Sequence, residues 1–353
     1  MVGNRADSLR HRGHHHHHAS VQKKVTQRRA QKTALLSGGF CLMRRVSMEE
    51  KTIRKKELPE KRKLSRMHFI KVVHGLVENT DLEKHRQSQN QFGILFGNAR
   101  DIQYRSIGIK GMNAGWVSVA RAHMRKYVIL YCHGGGFSTG SSLYARVLTS
   151  KLAMSTSMDV LCFDYRLAPE HPYPAALEDA MKAWNYLMLL GYGARDVILA
   201  GDSAGGNLAL ALSHRLRRED RLLPRGLVLM SPWTDLTLSG ESVETKQELD
   251  PVITKEYLKN MSVAYAEGED LRDPLISPLM GDFDGFPPTY IQVGENELLL
   301  SDSQRLHRKL VAANVPVKMD VFPDMWHVFQ MTPFKTAYRA MDRNAEFVFD
   351  ICR

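Results

Sequence analysis

A serine in the segment Val197–Gly206 has the sequence surroundings of a nucleophile. Four apolar residues predict a short buried strand, and a helix-like run, Asn207–Arg218, follows the turn. A strand, a G-x-S-x-G turn and a helix lift the Ser203 hydroxyl clear of the sheet edge. A Cβ at Gly201 or Gly205 would clash with the neighbouring strand or helix. The helix also points its positive N-terminal end at the space in front of the hydroxyl.

A serine nucleophile needs a base, because an alkoxide is not available at neutral pH. The best candidate is His327 in the segment P-D-M-W-H-V-F. It lies between the strand-like run Val317–Phe322 and the helix-like run Lys335–Cys352, so we expect it on a loop at the end of a strand. The sequence therefore predicts that Ser203 and His327 meet in space.

An imidazole base needs an acid that orients it, and the segment after the predicted strand Thr289–Val293 is rich in carboxylates. Asp302 is expected to cap the next helix. Asp324 is too close in sequence to the candidate base to come from a different strand end. Spacing alone leaves Glu295 and Glu297 as open alternatives.

Amide donors for an oxyanion are expected at two places. One is the backbone N–H of Ala204, the residue after the candidate nucleophile. The other is the glycine-rich loop His133–Phe137, which follows the predicted strand Tyr127–Cys132. Glycines let a backbone approach a substrate oxygen closely with its N–H groups exposed. A glycine triplet alone indicates a turn, but together with the G-D-S-A-G-G segment it indicates a site.

Strand-like and helix-like segments alternate along the chain, which predicts a doubly wound α/β sheet. The segment Gly115–Ala122 alternates apolar and polar residues and is predicted as an edge strand. Five short apolar runs predict buried strands: Tyr127–Cys132, Asp159–Phe163, Val197–Ala200, Gly226–Met230 and Thr289–Val293. Five segments predict helices between them or after the last strand: Leu143–Ser155, Pro174–Leu190, Asn207–Arg218, Ser301–Asn314 and Lys335–Cys352.

The net positive charge of the chain arises from its N-terminal part. Residues 1–66 hold 18 of the 49 Lys and Arg residues but only 5 of the 38 Asp and Glu residues, so the remainder has a net charge of −2. Phe40 is the one aromatic residue among these charges, so we expect a solvated leader and no nucleic-acid partner. The cysteines, including Cys132 and Cys162 in strand-like runs, lack metal-ligand spacing and predict a reduced, cytoplasmic protein with no metal.

The leader is divided from the body by its composition. His14–His18 resemble a purification tag, and the apolar run Ala34–Met43 is too short for a membrane span, so no membrane insertion is expected. We predict a tag or leader over 1–47 and a helical cap arm over 48–102, where apolar residues from Phe69 to Val77 have helical spacing. A catalytic domain is predicted over 103–353, with a cap insertion at about 236–277.

Several motifs in this order resemble the hormone-sensitive lipase family of esterases, bacterial family IV. The resemblance covers about residues 67–353. The segments that carry it are H-G-G-G at 133–136, Y-R-L-A-P-E-H-P-Y-P-A-A at 165–176, G-D-S-A-G-G at 201–206, S-P-W-T-D-L at 231–236 and D-P-L-I-S-P-L at 273–279.

The resemblance implies an α/β-hydrolase fold, with a mostly parallel central sheet flanked by helices and a helical cap. It places the oxyanion donors at Gly135 and Gly136, together with Ala204. It also places the acid at Glu297, a carboxylate one methylene longer than the usual Asp, with Glu295 as the alternative. No cofactor is implied, and a homodimer is expected.

These residues predict a serine carboxylesterase that acts on short- to medium-chain acyl esters. Phe137 and Trp233 are candidates for the acyl pocket, although packing in the core explains them equally well. An amidase or deacetylase on the same triad is one alternative. A non-catalytic receptor on the hydrolase fold is another, and His327 argues against it because the plant gibberellin receptor lacks that histidine. The natural ester is not defined by the sequence.

Overall fold

The computed structural model describes residues 50–52, 70, 81–121, 123 and 126–353. All of them belong to one compact unit, Met48–Arg353. The predicted tag, the leader over 1–47 and, apart from Ile70, the segment with helical spacing from Phe69 to Val77 lie outside the described residues. The division into cap arm, catalytic domain and insertion remains a prediction.

A single sheet of nine strands forms the centre of the described structure. Its order is β1-β9-β8-β7-β6-β4-β5-β3-β2. The strands are β1 (Glu50–Thr52), β2 (Ile102–Ile109), β3 (Met112–Val119), β4 (Val128–Cys132), β5 (Asp159–Phe163), β6 (Val197–Asp202), β7 (Gly226–Met230), β8 (Thr289–Gly294) and β9 (Val317–Phe322).

Strand β3 is the exception in a sheet that is otherwise parallel, since it pairs antiparallel with both β2 and β5. The prediction of an edge strand at Gly115–Ala122 was wrong, because β3 is internal and seven of its eight residues are half-buried or buried. The edge strand at this end of the sheet is β2, whose side chains are largely half-buried or exposed. The prediction missed β2 because its sequence, I-Q-Y-R-S-I-G-I, contains too few apolar residues.

Alternate residues of the central strands bury on opposite faces of the sheet, as the period of two requires. Val128 and Leu130 pack into one large core, and Ile129 and Tyr131 pack into a second core on the other face. Each fully buried aliphatic side chain contributes about 2 kcal/mol. The short apolar runs were therefore correctly predicted as strands buried on both faces.

Helices cover both faces, so the predicted doubly wound architecture is confirmed. The helices α3, α4 and α7 pack on the first face, and α2 and α8 pack on the second. The helices are α1 (Leu82–Phe96), α2 (Arg146–Thr156), α3 (Ala175–Leu189), α4 (Ala204–Arg218), α5 (Ser242–Thr245), α6 (Lys255–Ala266), α7 (Leu300–Ala312) and α8 (Lys335–Cys352). Helix α1 lies in the predicted cap arm, and α5 and α6 lie in the predicted insertion.

The two strand cysteines are packing residues, as their apolar surroundings indicated. Cys132 in β4 and Cys162 in β5 are free and fully buried. Burial raises the pKa of both thiols, so neither is activated as a nucleophile. Among the residues that the structure describes, no helix combines the length and the apolar character needed to cross a membrane.

Candidate active site

The turn that carries Ser203 joins strand β6 to helix α4. Ser203 adopts φ +52° and ψ −121°, which L-residues rarely adopt, and α4 begins at the next residue. A Cβ on Gly201 would overlap the carbonyl oxygen of Gly205, and a Cβ on Gly205 would overlap the carbonyl oxygen of Cys132 in β4. The clash predicted for both glycines is confirmed, because helix, turn and neighbouring strand approach each other too closely for a side chain.

The structure brings Ser203 and His327 together from positions far apart in the chain. The distance from Ser203 Oγ to His327 Nε2 is 2.9 Å. His327 follows β9 on a loop that ends in the 3₁₀ turn Phe329–Met331, before helix α8. Both side chains are largely buried, with 7% of Ser203 and 4% of His327 exposed. A proton can therefore pass directly from the hydroxyl to the imidazole, sheltered from bulk water.

Glu297 is the carboxylate on the other side of the imidazole. Its Oε1 lies 3.4 Å from His327 Nδ1, a long contact of the kind often found before substrate binds. Its Oε2 accepts hydrogen bonds from the Ser231 hydroxyl at 2.8 Å and from the Gly294 N–H at 2.7 Å. Ser231 also accepts a bond from the Val328 N–H, so one hydroxyl connects the acid to the residue after His327. These bonds hold a fully buried carboxylate in a single orientation.

The competing carboxylates have other partners. Glu295 is half-buried and accepts a hydrogen bond from the backbone N–H of Asp324. Asp302 does not cap α7, which was the expectation, because Leu299 occupies the N-cap position. Its Oδ2 accepts instead from the backbone N–H groups of Thr234 and Asp235, so Asp302 holds the loop after β7.

The protonation of His327 depends on the carboxylates around it. Burial alone would lower the pKa of this imidazole. The contact with Glu297 and the negative charges of Glu297, Asp250 and Asp202 outweigh burial, so the pKa of His327 is raised above its ordinary value. The environment therefore favours the imidazolium that forms when His327 accepts a proton.

The glycine-rich loop after β4 begins beside the N-terminal end of α4, where a Cβ on Gly205 would overlap the carbonyl oxygens of Cys132 and His133. Gly135 and Gly136 have φ of +114° and +61°, and a Cβ on Gly135 would overlap the carbonyl group of Thr139. The N–H groups of Gly135, Gly136 and Ala204 donate to no acceptor within the described part of the chain. Backbone N–H groups that have no acceptor of their own are available to donate hydrogen bonds to a negatively charged oxygen.

Buried polar groups fix the start of this loop against the nucleophile turn. Asp202 Oδ1 accepts hydrogen bonds from the Gly134 N–H at 3.0 Å and the Tyr131 hydroxyl at 2.5 Å. Burial raises the pKa of Asp202, while these two bonds lower it. His133 stacks on Tyr165 at 4.0 Å, and the Tyr165 hydroxyl donates to the His133 carbonyl oxygen. His133 therefore supports the loop.

Helix α1 holds the segment that directly follows the glycine-rich loop. Arg86 Nε donates to the Ser138 carbonyl oxygen at 2.9 Å, and its Nη2 donates to the Ala168 carbonyl oxygen at 3.1 Å. The guanidinium also forms two hydrogen bonds with Glu170, each 2.8 Å long. One turn further along α1, Gln89 Oε1 accepts from the Gly140 N–H at 2.9 Å. The polar face of α1 is thus bonded to the segment that follows the glycines.

Helix α6 covers Gly136 and Phe137 of the loop with three residues spaced four apart. Tyr257 and Met261 lie against Gly136, so that a Cβ there would be 2.9 Å from atoms of both side chains. Tyr265 stacks on Phe137 with the ring centroids 3.7 Å apart. The loop therefore lies between helices from the two segments that the sequence assigned to a cap.

Both residues predicted for the acyl pocket are fully buried in the large core. Phe137 contacts α6 through Tyr265, and Trp233 Nε1 donates to the Asp235 carbonyl oxygen. Their role in a pocket stays a prediction. Within the described ranges, no group of three or more His, Cys, Asp or Glu side chains could hold a metal ion.

Sequence reasoning missed three residues that support the site, namely Ser231, Asp250 and Arg86. Ser231 lies in the S-P-W-T-D-L segment, so its motif was a usable signal. Asp250 and Arg86 lie in polar stretches without periodicity, and their partners are 48 and 52 residues away. No local pattern could have revealed them.

Comparison with known proteins adds independent support. A family model described as alpha/beta hydrolase fold matches residues 129–331. An esterase of Acinetobacter venetianus is 40% identical over 262 residues, which cover 73% of this chain and 86% of that protein. An acetyl-hydrolase of Streptomyces hygroscopicus is 36% identical over 266 residues, which cover 74% of this chain and 88% of that protein.

Solved structures agree with this result. An esterase from the bacterial hormone-sensitive lipase family superposes with a TM-score of 0.77 at 34% identity, covering 82% of this chain and 98% of that one. Fold and site together define the class of α/β hydrolases that cleave esters. The chain belongs to the hormone-sensitive lipase family within this class and is a carboxylic ester hydrolase. The resemblance inferred from the sequence motifs is confirmed.

Proposed function

We propose that this enzyme hydrolyses short- to medium-chain acyl esters through a covalent intermediate on Ser203. The observation that carries the proposal is the 2.9 Å distance between Ser203 Oγ and His327 Nε2. This is the separation that a general base needs to remove the hydroxyl proton. The pH at which His327 loses its proton then sets the lower limit of activity.

The first half of the reaction forms the acyl-enzyme. Ser203 Oγ transfers its proton to His327 Nε2 and attacks the ester carbonyl carbon. The carbonyl oxygen becomes an oxyanion, which accepts hydrogen bonds from the N–H groups of Gly135, Gly136 and Ala204. Glu297 accepts from Nδ1–H and stabilises the imidazolium. His327 then protonates the leaving alkoxide, and the carbon–oxygen bond to the alcohol breaks.

The second half regenerates the enzyme. A water molecule transfers a proton to His327 Nε2 and attacks the acyl carbon, forming a second oxyanion at the same three N–H groups. The bond to Ser203 Oγ breaks as His327 returns the proton to it. The products are a carboxylic acid and the free hydroxyl.

The limit on acyl length is supported by the helix above the oxyanion loop. Tyr257 and Met261 of α6 contact Gly136 and restrict the space beside the donors. The Streptomyces hygroscopicus relative is named an acetyl-hydrolase, and this name supports a short acyl group as substrate of this enzyme. A homodimer remains an expectation from the family, and a cytoplasmic location remains a prediction from the free, buried cysteines.

The test is turnover of p-nitrophenyl esters by the wild type and by Ser203→Ala. The variant should lose activity by about 10⁴-fold or more and should no longer be labelled by a fluorophosphonate. Ser155→Ala, in helix α2, is the matched control and should retain both. Turnover or labelling that survives in Ser203→Ala rejects the nucleophile.

An acyl series from acetate to palmitate tests the substrate range. We expect kcat/KM to peak at short or medium chains and to fall for the longest one, because the acyl group meets α6. Matched p-nitroanilides test the leaving group, and anilide turnover equal to ester turnover would favour an amidase. Absence of turnover and labelling in the wild type would favour a receptor.

A further inference from the structure

Two side chains of the predicted insertion form hydrogen bonds with the backbone of Leu298, the residue that follows Glu297. The backbone N–H of Leu298 donates to Asp250 Oδ2 at 3.2 Å. The carbonyl oxygen of Leu298 accepts from the Ser242 hydroxyl at 2.5 Å. Ser242 also exchanges hydrogen bonds with Ser301 at the start of α7. The position of the acid segment thus depends on two side chains of the insertion.

Asp250 is itself held firmly. Its Oδ1 accepts from the backbone N–H groups of Val252 at 2.9 Å and Ile253 at 3.4 Å. Ile253 is buried in the large core, and Val252 packs against a cluster that contains Met325 and Trp326, just before His327. With only 8% of the residue exposed, the carboxyl group has a fixed place beside the loop that carries the base.

The partners that contact the Asp250 carboxyl are backbone N–H groups. No Lys or Arg forms an ion pair with Asp250 in the described part of the chain. Burial raises the pKa of Asp250 to about 7; His327 opposes the rise, and Glu297 adds to it. Asp250 is in turn one of the groups that raise the pKa of His327, with Glu297 and Asp202. The charges of Asp250 and His327 therefore favour each other's ionised form.

We propose that Asp250 is a positioning residue for ester hydrolysis, which holds the segment of Glu297 through Leu298 and adds a second negative charge that stabilises the imidazolium of His327. This inference rests on the proposed serine mechanism. The predicted insertion then takes part in proton transfer, because Asp250 lies within it and its carboxyl acts on His327. Asp250 does not touch the substrate in this scheme.

The test is the pH dependence of kcat/KM in Asp250→Asn. His327 must be neutral to accept a proton, so kcat/KM of the wild type rises with pH as the imidazolium is lost. Without the charge of Asp250, His327 loses its proton at lower pH. The rise should then shift to lower pH, and the variant should keep about twice as large a fraction of its maximal activity as the wild type near pH 7, where the Asp250 carboxyl of the wild type becomes ionised. The maximum itself should fall about fivefold.

Ser242→Ala is the matched control, because it removes the other hydrogen bond to Leu298 without changing a charge. It should lower kcat/KM and leave the pH of the rise in place, as expected of a purely structural contact. Asp250→Ser carries the same prediction as Asp250→Asn, because its neutral hydroxyl can still accept from Val252. It serves if the Asn variant fails to fold, which circular dichroism would show.

The outcomes separate the two proposals. A rise at the same pH in Asp250→Asn or Asp250→Ser as in the wild type overturns the role of Asp250, even where activity has fallen. An equal shift in Ser242→Ala also overturns it, because the effect would then come from the hydrogen bonds. Activity that survives in Ser203→Ala, or a wild type without the acid-side rise, rejects the proposed mechanism itself.

Discussion

The two halves of the site are built from different parts of the molecule. Ser203, Glu297 and His327 follow the parallel strands β6, β8 and β9, so the register of the sheet sets their separation. The glycine-rich loop also follows a strand, but helices α1 and α6 hold it from either side. The proton-transfer half is thus positioned mainly by the sheet, and the donor half by sheet and helices together.

This difference predicts two kinds of response to substitution. Changes in the proton-transfer half alter the electrostatics of His327, so they should change both the rate and its pH dependence. Changes in the donor half move N–H groups that carry no titratable proton, so they should lower kcat and leave the pH dependence in place.

Within this comparison of the two halves, the largest effect is expected for Glu297, the proposed acid. Glu297→Ala should lower kcat about 10³-fold, because the imidazolium loses its hydrogen-bonded carboxylate. The rise of kcat/KM with pH should move to lower pH, since Glu297 raises the pKa of His327. Glu295→Ala removes only the acceptor of the Asp324 N–H among the bonds described above, and should cost about tenfold or less. The reverse order, measured with p-nitrophenyl butyrate, would move the acid role to Glu295.

The next effect separates two neighbouring glycines of the donor half. Gly135→Ala should lower kcat about 10²-fold, because φ of +114° is unsuited to alanine and its Cβ would overlap Thr139 backbone. Gly136→Ala should cost less, since φ of +61° is accessible to other residues and its Cβ would meet the side chains of Tyr257 and Met261. Steady-state kinetics measures kcat of both variants. Equal losses would show that the side chains of Tyr257 and Met261 do not move aside for the added methyl group.

A smaller effect is expected from helix α1. Arg86→Met removes the hydrogen bonds to the Ser138 and Ala168 carbonyl oxygens, and kcat should fall about tenfold with the pH dependence unchanged. Arg100→Met, at an exposed position after α1, is the control and should keep wild-type kcat. A shift of the pH profile in Arg86→Met would contradict the division between the two halves.

The smallest effect on activity is expected for Asp302, whose role lies in pH-dependent stability. Burial raises the pKa of Asp302 to about 7, and the charge of Asp235 adds to the rise. Between about pH 4 and 7 the folded state then holds a proton that the unfolded state has lost, so this group makes the free energy of unfolding fall as pH rises. Asp302→Asn should weaken that fall, by on the order of a few kcal/mol. Urea unfolding at about pH 5 and pH 8 measures it; an unchanged slope would contradict the assignment.

The sequence predicted the sheet half of this enzyme better than the helical supports. Strands such as Asp159–Phe163 are apolar along their whole length because both faces are covered, and their bounds were predicted correctly. The positions of Ser203 and His327 followed from the rule that loops after strands carry the chemistry. Helix α1 was only suggested, and its bonds to the glycine-rich loop were not, because Arg86 and Gln89 contact residues that are distant in sequence.

The proposed acid shows the same limit within a single segment. Glu295 and Glu297 lie two residues apart and are chemically alike, so no pattern separates them. In the structure, Glu297 contacts His327 because of the direction in which the chain leaves β8. Ser231, which follows the neighbouring strand β7, hydrogen-bonds to Glu297 and holds it there. Long-range pairing of this kind is a property of the folded chain.

The grip of α1 and α6 on one loop has a consequence for recombining this enzyme with its relatives. These helices start 173 residues apart in the sequence, at Leu82 and at Lys255, one before and one after the loop that they enclose. A chimaera that exchanges either segment alone pairs a helix of one parent with the glycine-rich loop of the other. A misfit of a fraction of an ångström between them then displaces the backbone N–H groups of the loop. Both segments should therefore be transplanted together with residues 133–141, as one cassette.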